Sequence, residues 1–136
     1  MSPEDLELIR SLYDAMNRRD LARLRAYADA NPGFAWQSSA DEPDSSLRRG
    51  RERVVAYSRN LLETFDRLET EVQEVIDLGP EAAIFVVYHR VRGAASGAEV
   101  ERGEAHLWTK RDGRVASLRE FATVQEAREA AREPSH

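Results

Sequence analysis

Hydrophobic residues recur every three or four positions in three segments of the first half of the chain, which is the spacing of one face of an α-helix. The first segment starts at Ser2-Pro3-Glu4-Asp5, where serine can cap a helix, proline suits its first position and acids suit its first turn. The pattern predicts a first helix that ends at residues 17–19, a second over residues 21–28 and a third from about residue 51 to residue 65.

After residue 65 the period changes from helical to alternating, which is typical of strands with one buried face. Strands are predicted over residues 34–38, 68–78, 82–92, 100–110 and 114–123, and a short helix closes the chain. The last two strands meet at Asp112-Gly113, a strong signal for a two-residue hairpin turn. Residues 39–50 are predicted to be a loop, which would be either a lid or binding loop or a disordered surface loop.

Helices that are segregated from consecutive antiparallel strands indicate the α+β class. The sequence therefore predicts one domain over residues 1–136, in which a curved, mainly antiparallel sheet wraps around three helices from the N-terminal half. An opening is expected where the strand at residues 34–38 and the following loop meet the sheet.

Composition and charge then argue against several classes of function. The 136 residues have a net charge of −5 with both signs interleaved, whereas a nucleic-acid-binding face needs clustered positive charge. There is no cysteine, no apolar run of membrane-spanning length and no signal-peptide pattern, so we expect a cytoplasmic protein without disulfides and without membrane association. The three histidines show no ligand spacing and no glycine-rich phosphate loop follows a strand, so neither a metal nor another cofactor is predicted.

Four stretches together resemble a known family. They are LYDAMNRRDLARL, the strand at residues 34–38, GRERVVAY and HLWTKRDGRVASLREF, and in this order they look like the SnoaL-like branch of the nuclear transport factor 2-like (NTF2-like) superfamily. The resemblance covers nearly the whole chain and implies a cone-shaped α+β fold with a deep apolar pocket, usually assembled as a homodimer through the outer sheet face. The superfamily includes ketosteroid isomerases, polyketide cyclases, epoxide hydrolases, dehydratases and domains without catalysis, so fold alone does not give function.

Comparison with the steroid isomerases implies a changed set of site residues. Tyr13 falls on the position of their first-helix tyrosine, which helps to form the oxyanion hole. Their general-base aspartate is replaced by Ser38, or by Gln37 if the register slips by one residue. The position of a second acid falls on His106, or on Ala105 with a slip of one. Steroid isomerisation by the usual carboxylate is therefore not expected, and His106 becomes the candidate general acid–base with Tyr13 as hydrogen-bond donor.

Strand alternation places His106 and Trp108 on one face with Glu104. Either this face lines the pocket, or Leu107 points inward and His106 lies at the dimer surface. The candidate pocket residues are Trp36, Ser38, Tyr88, Arg90, Trp108 and Glu120. Arg90 either pairs with Glu120 inside the pocket or lies in solvent near the strand end.

Three functions remain open from the sequence. The first is a cofactor-free isomerase, cyclase or hydrolase of a small apolar molecule, with His106 and Tyr13 as catalytic residues. The second is a protein that binds such a molecule without turnover. The third is a dimerisation or interaction module in which the pocket has no role.

Overall fold

A computed structural model describes residues 1–41 and 46–133 of the chain. Its elements, in chain order, are α1 (Pro3–Asn17), α2 (Leu21–Ala30), β1 (Ala35–Gln37), β2 (Leu47–Arg49), α3 (Arg51–Thr64), β3 (Phe65–Asp77), β4 (Ala82–Gly93), β5 (Glu99–Arg111), β6 (Arg114–Phe121) and α4 (Val124–Ala131). The curved, unclosed six-stranded sheet and its helices confirm the predicted α+β class.

Local sequence signals start and turn the elements as expected. The Ser2 hydroxyl accepts a hydrogen bond from the backbone N–H of Asp5, and the Asp5 carboxylate accepts one from the backbone N–H of Ser2, each at 3.1 Å. This reciprocal pair satisfies two of the N–H groups that have no partner within a helix, and so it fixes the start of α1. In the hairpin between β5 and β6, Asp112 and Gly113 have φ values of 52° and 76°, the left-handed geometry that a two-residue hairpin turn requires.

The strand order across the sheet is β2-β1-β6-β5-β4-β3. All neighbouring strands are antiparallel except β1 and β6, which are parallel. The prediction of a continuous loop over residues 39–50 is wrong at Leu47–Arg49, because these residues form β2 and pair with β1. Residues 42–45 of that segment lie outside the described part of the chain, and the lid hypothesis stays a prediction.

The two faces of the sheet are covered by different helices. The inner face packs against α1, α2 and α3 in a core that includes Ile9, Tyr27, Val54 and Phe85. The outer face carries a second cluster, in which α4 packs against β4 and β5. Both faces of β5 are therefore buried near its centre. The packing of α4 on the outer face supports the part of β5 that carries the inner-face side chains.

No helix in residues 1–41 or 46–133 is long and apolar enough to span a lipid bilayer.

Candidate functional site

A cavity of about 410 Å³ lies between the inner face of the sheet and the three helices. Most of its wall is apolar or aromatic, and the wall includes Leu12, Leu24, Phe34, Trp36, Val54 and Leu118. A smaller group of polar side chains interrupts this wall, with Tyr13 on α1 and the others on the sheet: Tyr13, Thr70, His89, Arg102, Glu104, His106 and Glu120. An apolar cavity with a few convergent polar groups is the usual form of a small-molecule site.

Strand register brings the polar groups together. In the β4–β5 pair, Val87 lies opposite Glu104 and Phe85 lies opposite His106, so these four side chains share the inner face. The same pairing places His89 opposite Arg102. On the other side of β5, His106 lies opposite Glu120 of β6, and on the other side of β4, His89 lies opposite Thr70 of β3.

A hydrogen-bonded chain runs through the buried side chains of this group. Trp108 Nε1 donates to Tyr13 Oη at 2.9 Å, Tyr13 Oη lies 2.7 Å from His106 Nδ1, and His106 Nε2 lies 3.0 Å from Glu104 Oε1. An ionised carboxylate can only accept, so His106 Nε2 carries the hydrogen and donates it to Glu104. Nδ1 of the neutral ring is then an acceptor, and the Tyr13 hydroxyl donates to it. The chain therefore has the order carboxylate, imidazole, phenol.

Glu104 is the centre of the group. His89 Nε2 lies 2.8 Å from the same oxygen, Oε1, and His89 Nδ1 lies 2.8 Å from Thr70 Oγ1. The other carboxylate oxygen, Oε2, lies 3.2 Å from Arg102 Nη2 but accepts no well-aligned hydrogen bond from the described residues. Arg102 also donates to both carboxylate oxygens of Asp41 at 3.2 Å, which connects the segment after β1 to the site.

Burial and hydrogen bonding fix the charge states. Burial lowers the pKa of His106, because an imidazolium loses its hydration there, and this outweighs the opposing hydrogen bond to Glu104. Burial by itself would raise the pKa of Glu104, but the hydrogen bonds from His106 and His89 hold that pKa well below its usual range. Burial also raises the pKa of Tyr13 well above its usual value. Near neutral pH the chain therefore consists of an anionic Glu104, a neutral His106 and a protonated Tyr13.

A second carboxylate lies at the edge of this group. Glu120 Oε2 accepts a hydrogen bond from Trp36 Nε1 at 2.8 Å and lies 4.0 Å from His106 Nε2. Trp36 also packs edge-on against Tyr57, with ring centroids 4.8 Å apart. This contact extends the aromatic wall from β1 to α3.

The structure brings most of the residues predicted from the sequence to one place. Tyr13, Trp36, His106, Trp108 and Glu120 all line the cavity, and Leu107 faces α4 on the opposite side of β5. Of the two orientations that the sequence left open, the structure has His106 and Trp108 on the cavity side. Their roles toward a ligand stay predictions.

Three placements differ from expectation. Ser38 is buried but lies behind the wall, where its hydroxyl is 3.0 Å from Tyr57 Oη and accepts a hydrogen bond from Arg48 at 2.9 Å. Tyr88 and Arg90 lie on the outer face, because in β4 the inner positions are those of Phe85, Val87 and His89. Arg90 pairs there with Glu71 and Glu101, at 3.4 and 3.6 Å, so of its two predicted placements the structure has the one outside the pocket and not the pair with Glu120.

Sequence reasoning missed His89, Glu104, Thr70 and Arg102 as site residues. Alternation did put Glu104 on the face of His106 and did separate His89 from Tyr88 and Arg90. The alternation signal alone therefore predicts Glu104 as a residue of the same site as His106. For His89, the pairing of β4 with β5 is needed as well.

Comparison with known proteins agrees with this architecture. The sequence profile described as the SnoaL-like domain matches residues 9–118. The chain belongs to the SnoaL-like domain family. This confirms the resemblance seen in the sequence. A search of curated proteins gives no significant match for this SnoaL-like chain.

Solved structures share the fold at low sequence identity. An NTF2-like protein of unknown function from Burkholderia pseudomallei is 20% identical with a TM-score of 0.74, and the match covers 98% of this chain and 100% of that one. TerC, co-crystallised with polyporic acid, is 16% identical with a TM-score of 0.72 over 92% and 95% of the two chains. A Mycobacterium tuberculosis protein in complex with estradiol-17β-hemisuccinate is 16% identical with a TM-score of 0.72 over 89% and 95%. These similarities establish the NTF2-like fold of the SnoaL-like chain.

Proposed function

We propose that this SnoaL-like protein binds a small, largely apolar molecule in the cavity and catalyses proton transfer on it. The observation that supports this proposal is the chain of Glu104, His106 and Tyr13 on the wall of an otherwise apolar cavity. Two structures of similar fold contain small organic molecules, polyporic acid and estradiol-17β-hemisuccinate, and this favours the same class of ligand here.

The geometry supports a specific route for the proton. The Tyr13 oxygen takes a proton from the bound molecule while its own proton passes to His106 Nδ1, 2.7 Å away. The imidazolium that forms is stabilised by the carboxylate of Glu104, in the way that an acid orients and stabilises the histidine of a catalytic triad. Reversal of the two transfers returns the proton to the molecule at the same or another atom. This sequence of steps suits an isomerase or a cyclase, and it suits a hydrolase when the proton comes from water.

Trp108 makes it easier for Tyr13 to give up its proton to His106 in this route. Its indole N–H donates to the Tyr13 oxygen at 2.9 Å, and this hydrogen bond opposes the rise in the pKa of Tyr13 that burial causes. Negative charge that develops on the phenolic oxygen during the transfer is therefore met by a donor already in place.

Hydrogen–deuterium exchange gives a test that does not require the natural substrate. The only two tryptophans in the chain, Trp36 and Trp108, both line the cavity, so quenching of their fluorescence reports binding of small ketones from a panel of enolisable compounds. For each ketone that binds, NMR in D₂O measures the rate at which its acidic C–H positions take up deuterium. We expect exchange catalysed by the wild type, and exchange slowed about 100-fold or more in Tyr13→Phe and His106→Gln with binding retained.

Tyr88→Phe is the matched control, because Tyr88 lies on the outer face and donates to exposed Glu101. It should leave both binding and exchange unchanged. Exchange that is as fast in Tyr13→Phe as in the wild type would contradict the proposed route.

A second function is favoured by one specific observation. Both ring nitrogens of His106 already have protein partners, at 2.7 and 3.0 Å, and only 2% of the residue is exposed. A protein that only binds its ligand would keep these groups occupied by one another. Under this alternative, the ketones that quench tryptophan fluorescence show no exchange above the uncatalysed rate at any pH.

A further inference from the structure

Three side chains with metal-binding atoms meet on the cavity wall, although the sequence separates them. They are His89, Glu104 and His106, here called the inner cluster, and one ligand atom of each lies within 4.8 Å of the other two. Among the described residues, these three form the group of histidine, aspartate or glutamate side chains whose ligand atoms lie this close together. The sequence did not reveal this cluster, because His89 and Glu104 belong to different strands and so show no ligand spacing.

We propose that the inner cluster is a binding site for a divalent transition-metal ion of the Zn²⁺ type. The ligands are Nε2 of His89, Nε2 of His106 and a carboxylate oxygen of Glu104. This inference is independent of the proposed function, because it concerns binding of the metal ion by the protein alone.

The distances suit such an ion. The two Nε2 atoms lie 2.8 and 3.0 Å from the same oxygen of Glu104. Around a tetrahedral Zn²⁺ with bonds of about 2.0–2.1 Å, neighbouring ligand atoms stand roughly 3.3 Å apart, so each nitrogen needs to move away from that oxygen by only about 0.5 Å or less. The ligand atoms of all three side chains lie within 4.8 Å of one another, so the two nitrogens need to move relative to each other by no more than about 1.5 Å. Rotation about side-chain bonds supplies that displacement without a change in strand register.

The second ring nitrogen of each histidine is already oriented. His106 Nδ1 contacts the Tyr13 hydroxyl at 2.7 Å, and His89 Nδ1 contacts the Thr70 hydroxyl at 2.8 Å. Histidines that bind metals are usually held in this way, with the free ring N–H donated to an oxygen that fixes the tautomer and the orientation of the ring. The site therefore has both its ligands and the partners that orient them.

The donor set indicates which ion it would hold. Two imidazoles and one carboxylate suit Zn²⁺ and neighbouring transition metals, whereas Ca²⁺ and Mg²⁺ prefer sites built from oxygen. Three protein ligands leave at least one coordination position open, as in catalytic rather than structural zinc sites. All three ligand residues line the cavity and the side chain of His89 is 21% exposed, so a molecule in the cavity can approach the ion.

The charge balance also permits a cation. Glu104 supplies a carboxylate at the centre of the inner cluster, and its side chain is only 1% exposed. Arg102 Nη2, 3.2 Å from Glu104 Oε2, is a cation that opposes a second positive charge, but the same nitrogen also lies 3.2 Å from each carboxylate oxygen of Asp41. Asp41 offsets the guanidinium charge, so the negative charge of Glu104 remains available to a metal ion.

Metal binding at the inner cluster is incompatible with proton transfer along the chain of Glu104, His106 and Tyr13. A metal on His106 Nε2 displaces the hydrogen to Nδ1, so the ring donates to the Tyr13 oxygen instead of accepting from it. The Tyr13 hydroxyl hydrogen is then released from His106, and Nδ1 can no longer take a proton. A bound metal ion would thus switch off the transfer proposed above, and it would leave Tyr13 able to donate a hydrogen bond to a ligand.

Direct measurement on the full chain tests the site without any activity assay. The protein is treated with a chelator, dialysed and titrated with Zn²⁺ by calorimetry, with Co²⁺ as a spectroscopic probe of coordination. We expect one tight Zn²⁺ per chain, with affinity lowered more than about 100-fold in His89→Gln, His106→Gln and Glu104→Gln. Thr70→Val, which removes only an orienting hydroxyl, should weaken binding about 10-fold or more. Glu101→Gln, on the outer face of the same strand, should have no effect.

Nitrogen-15 NMR of the histidine rings keeps the test informative even if a variant fails to fold. In the wild type, both clustered histidines should change from the Nε2–H to the Nδ1–H tautomer when Zn²⁺ is added. Zn²⁺ that binds no more tightly to the wild type than to His106→Gln, or that leaves both tautomers unchanged, would show that the cluster is a proton-sharing group only and would overturn the proposal.

Discussion

Strands β4 and β5 carry charged groups on both faces, and the two sets make a direct comparison. The inner cluster is His89, Glu104 and His106, and an outer cluster on the same strands is formed by Tyr88, Arg90 and Glu101. Each has a glutamate of β5 as its acceptor: Tyr88 donates to Glu101 at 3.0 Å, as His89 and His106 contact Glu104 at 2.8 and 3.0 Å. The side chains of Glu101 and Glu104 differ in exposure, at 56% and 1%.

Similar contact distances therefore have different consequences. Water competes for the groups of the outer cluster, and exposed ion pairs of this kind contribute roughly 0–1 kcal/mol. In the inner cluster, the loss of one partner leaves a buried polar group without a substitute, which costs about 1–3 kcal/mol per group. Contact geometry alone does not tell which cluster matters to the protein, whereas burial does.

The largest expected effect comes from removing the shared acceptor of the inner cluster. Glu104→Ala leaves two imidazole N–H groups without their acceptor, so we expect the free energy of unfolding to fall by about 3 kcal/mol. Urea denaturation measures it. Glu101→Ala is the control on the same strand and should change the free energy by less than about 0.5 kcal/mol. Equal effects of the two substitutions would remove the distinction between the clusters.

A pair of tyrosines repeats the comparison with a single oxygen atom. Tyr13→Phe deprives buried Trp108 Nε1 of its acceptor and His106 Nδ1 of its donor, and we expect a loss of about 2 kcal/mol. Tyr88→Phe removes an exposed hydroxyl and should cost less than about 0.5 kcal/mol. Thermal unfolding of the two variants beside the wild type provides the measurement, and a larger loss in Tyr88→Phe would contradict the assignment of faces.

The inner cluster should also make stability depend on pH. The pKa of His106 is lowered on folding from an unperturbed 6.5, so below that pH the unfolded chain takes up a proton that the folded chain resists. The free energy of unfolding should therefore decrease as the pH falls from 6.5, by at most about 1.4 kcal/mol per pH unit. A second loss should begin below 4.5, where Glu104 of the unfolded chain becomes protonated while its depressed pKa keeps it ionised in the folded protein.

Denaturation curves between about pH 7 and pH 5 measure the contribution of His106, and curves below pH 4.5 measure that of Glu104. His106→Gln should flatten the upper part of the profile, and Glu101→Gln should leave it as in the wild type. A profile of His106→Gln that still falls as steeply as that of the wild type would assign the dependence to another group.

The smallest effect is expected for Arg90. Arg90→Gln breaks contacts of 3.4 and 3.6 Å with Glu71 and Glu101, all of them open to solvent. We expect a change of less than about 0.5 kcal/mol in the free energy of unfolding, which high salt should abolish because exposed charges are screened. Quenching of tryptophan fluorescence by ketones should be unaffected. A clear loss of ligand binding would indicate that Arg90 lies in the cavity after all.

Alternation predicted much of this arrangement from the sequence. It put His106, Trp108 and Glu104 on one face of β5 and separated His89 from Tyr88 and Arg90 on β4. Alternation could not tell which face of β4 lies on the same side of the sheet as a given face of β5. That depends on the pairing register, for example Phe85 opposite His106, and the register is fixed by the turn at residues 93–98. This is why Tyr88 and Arg90 were placed in the pocket and His89 was not.

Other features depend on contacts that no local pattern contains. Leu47–Arg49 is too short and too polar to indicate a strand, and it forms one because β1 offers an unpaired edge. A buried carboxylate is costly in isolation, and the partners that stabilise Glu104, His89 and Arg102, are assembled only by the sheet. The predicted homodimer stays a prediction.

The parallel pairing of β1 with β6 has a consequence for the time course of folding. Strands β3 to β6 follow one another as hairpins, so their contacts close short loops and are expected early. Trp36 and Glu120, joined across the β1–β6 pair, are 84 positions apart, and closing so long a loop is slow. The inner cluster on β4 and β5 would then be assembled before α1 and β1 close over it, because the contact of Tyr13 with His106 spans 93 positions, and the indole of Trp36 would report a late step.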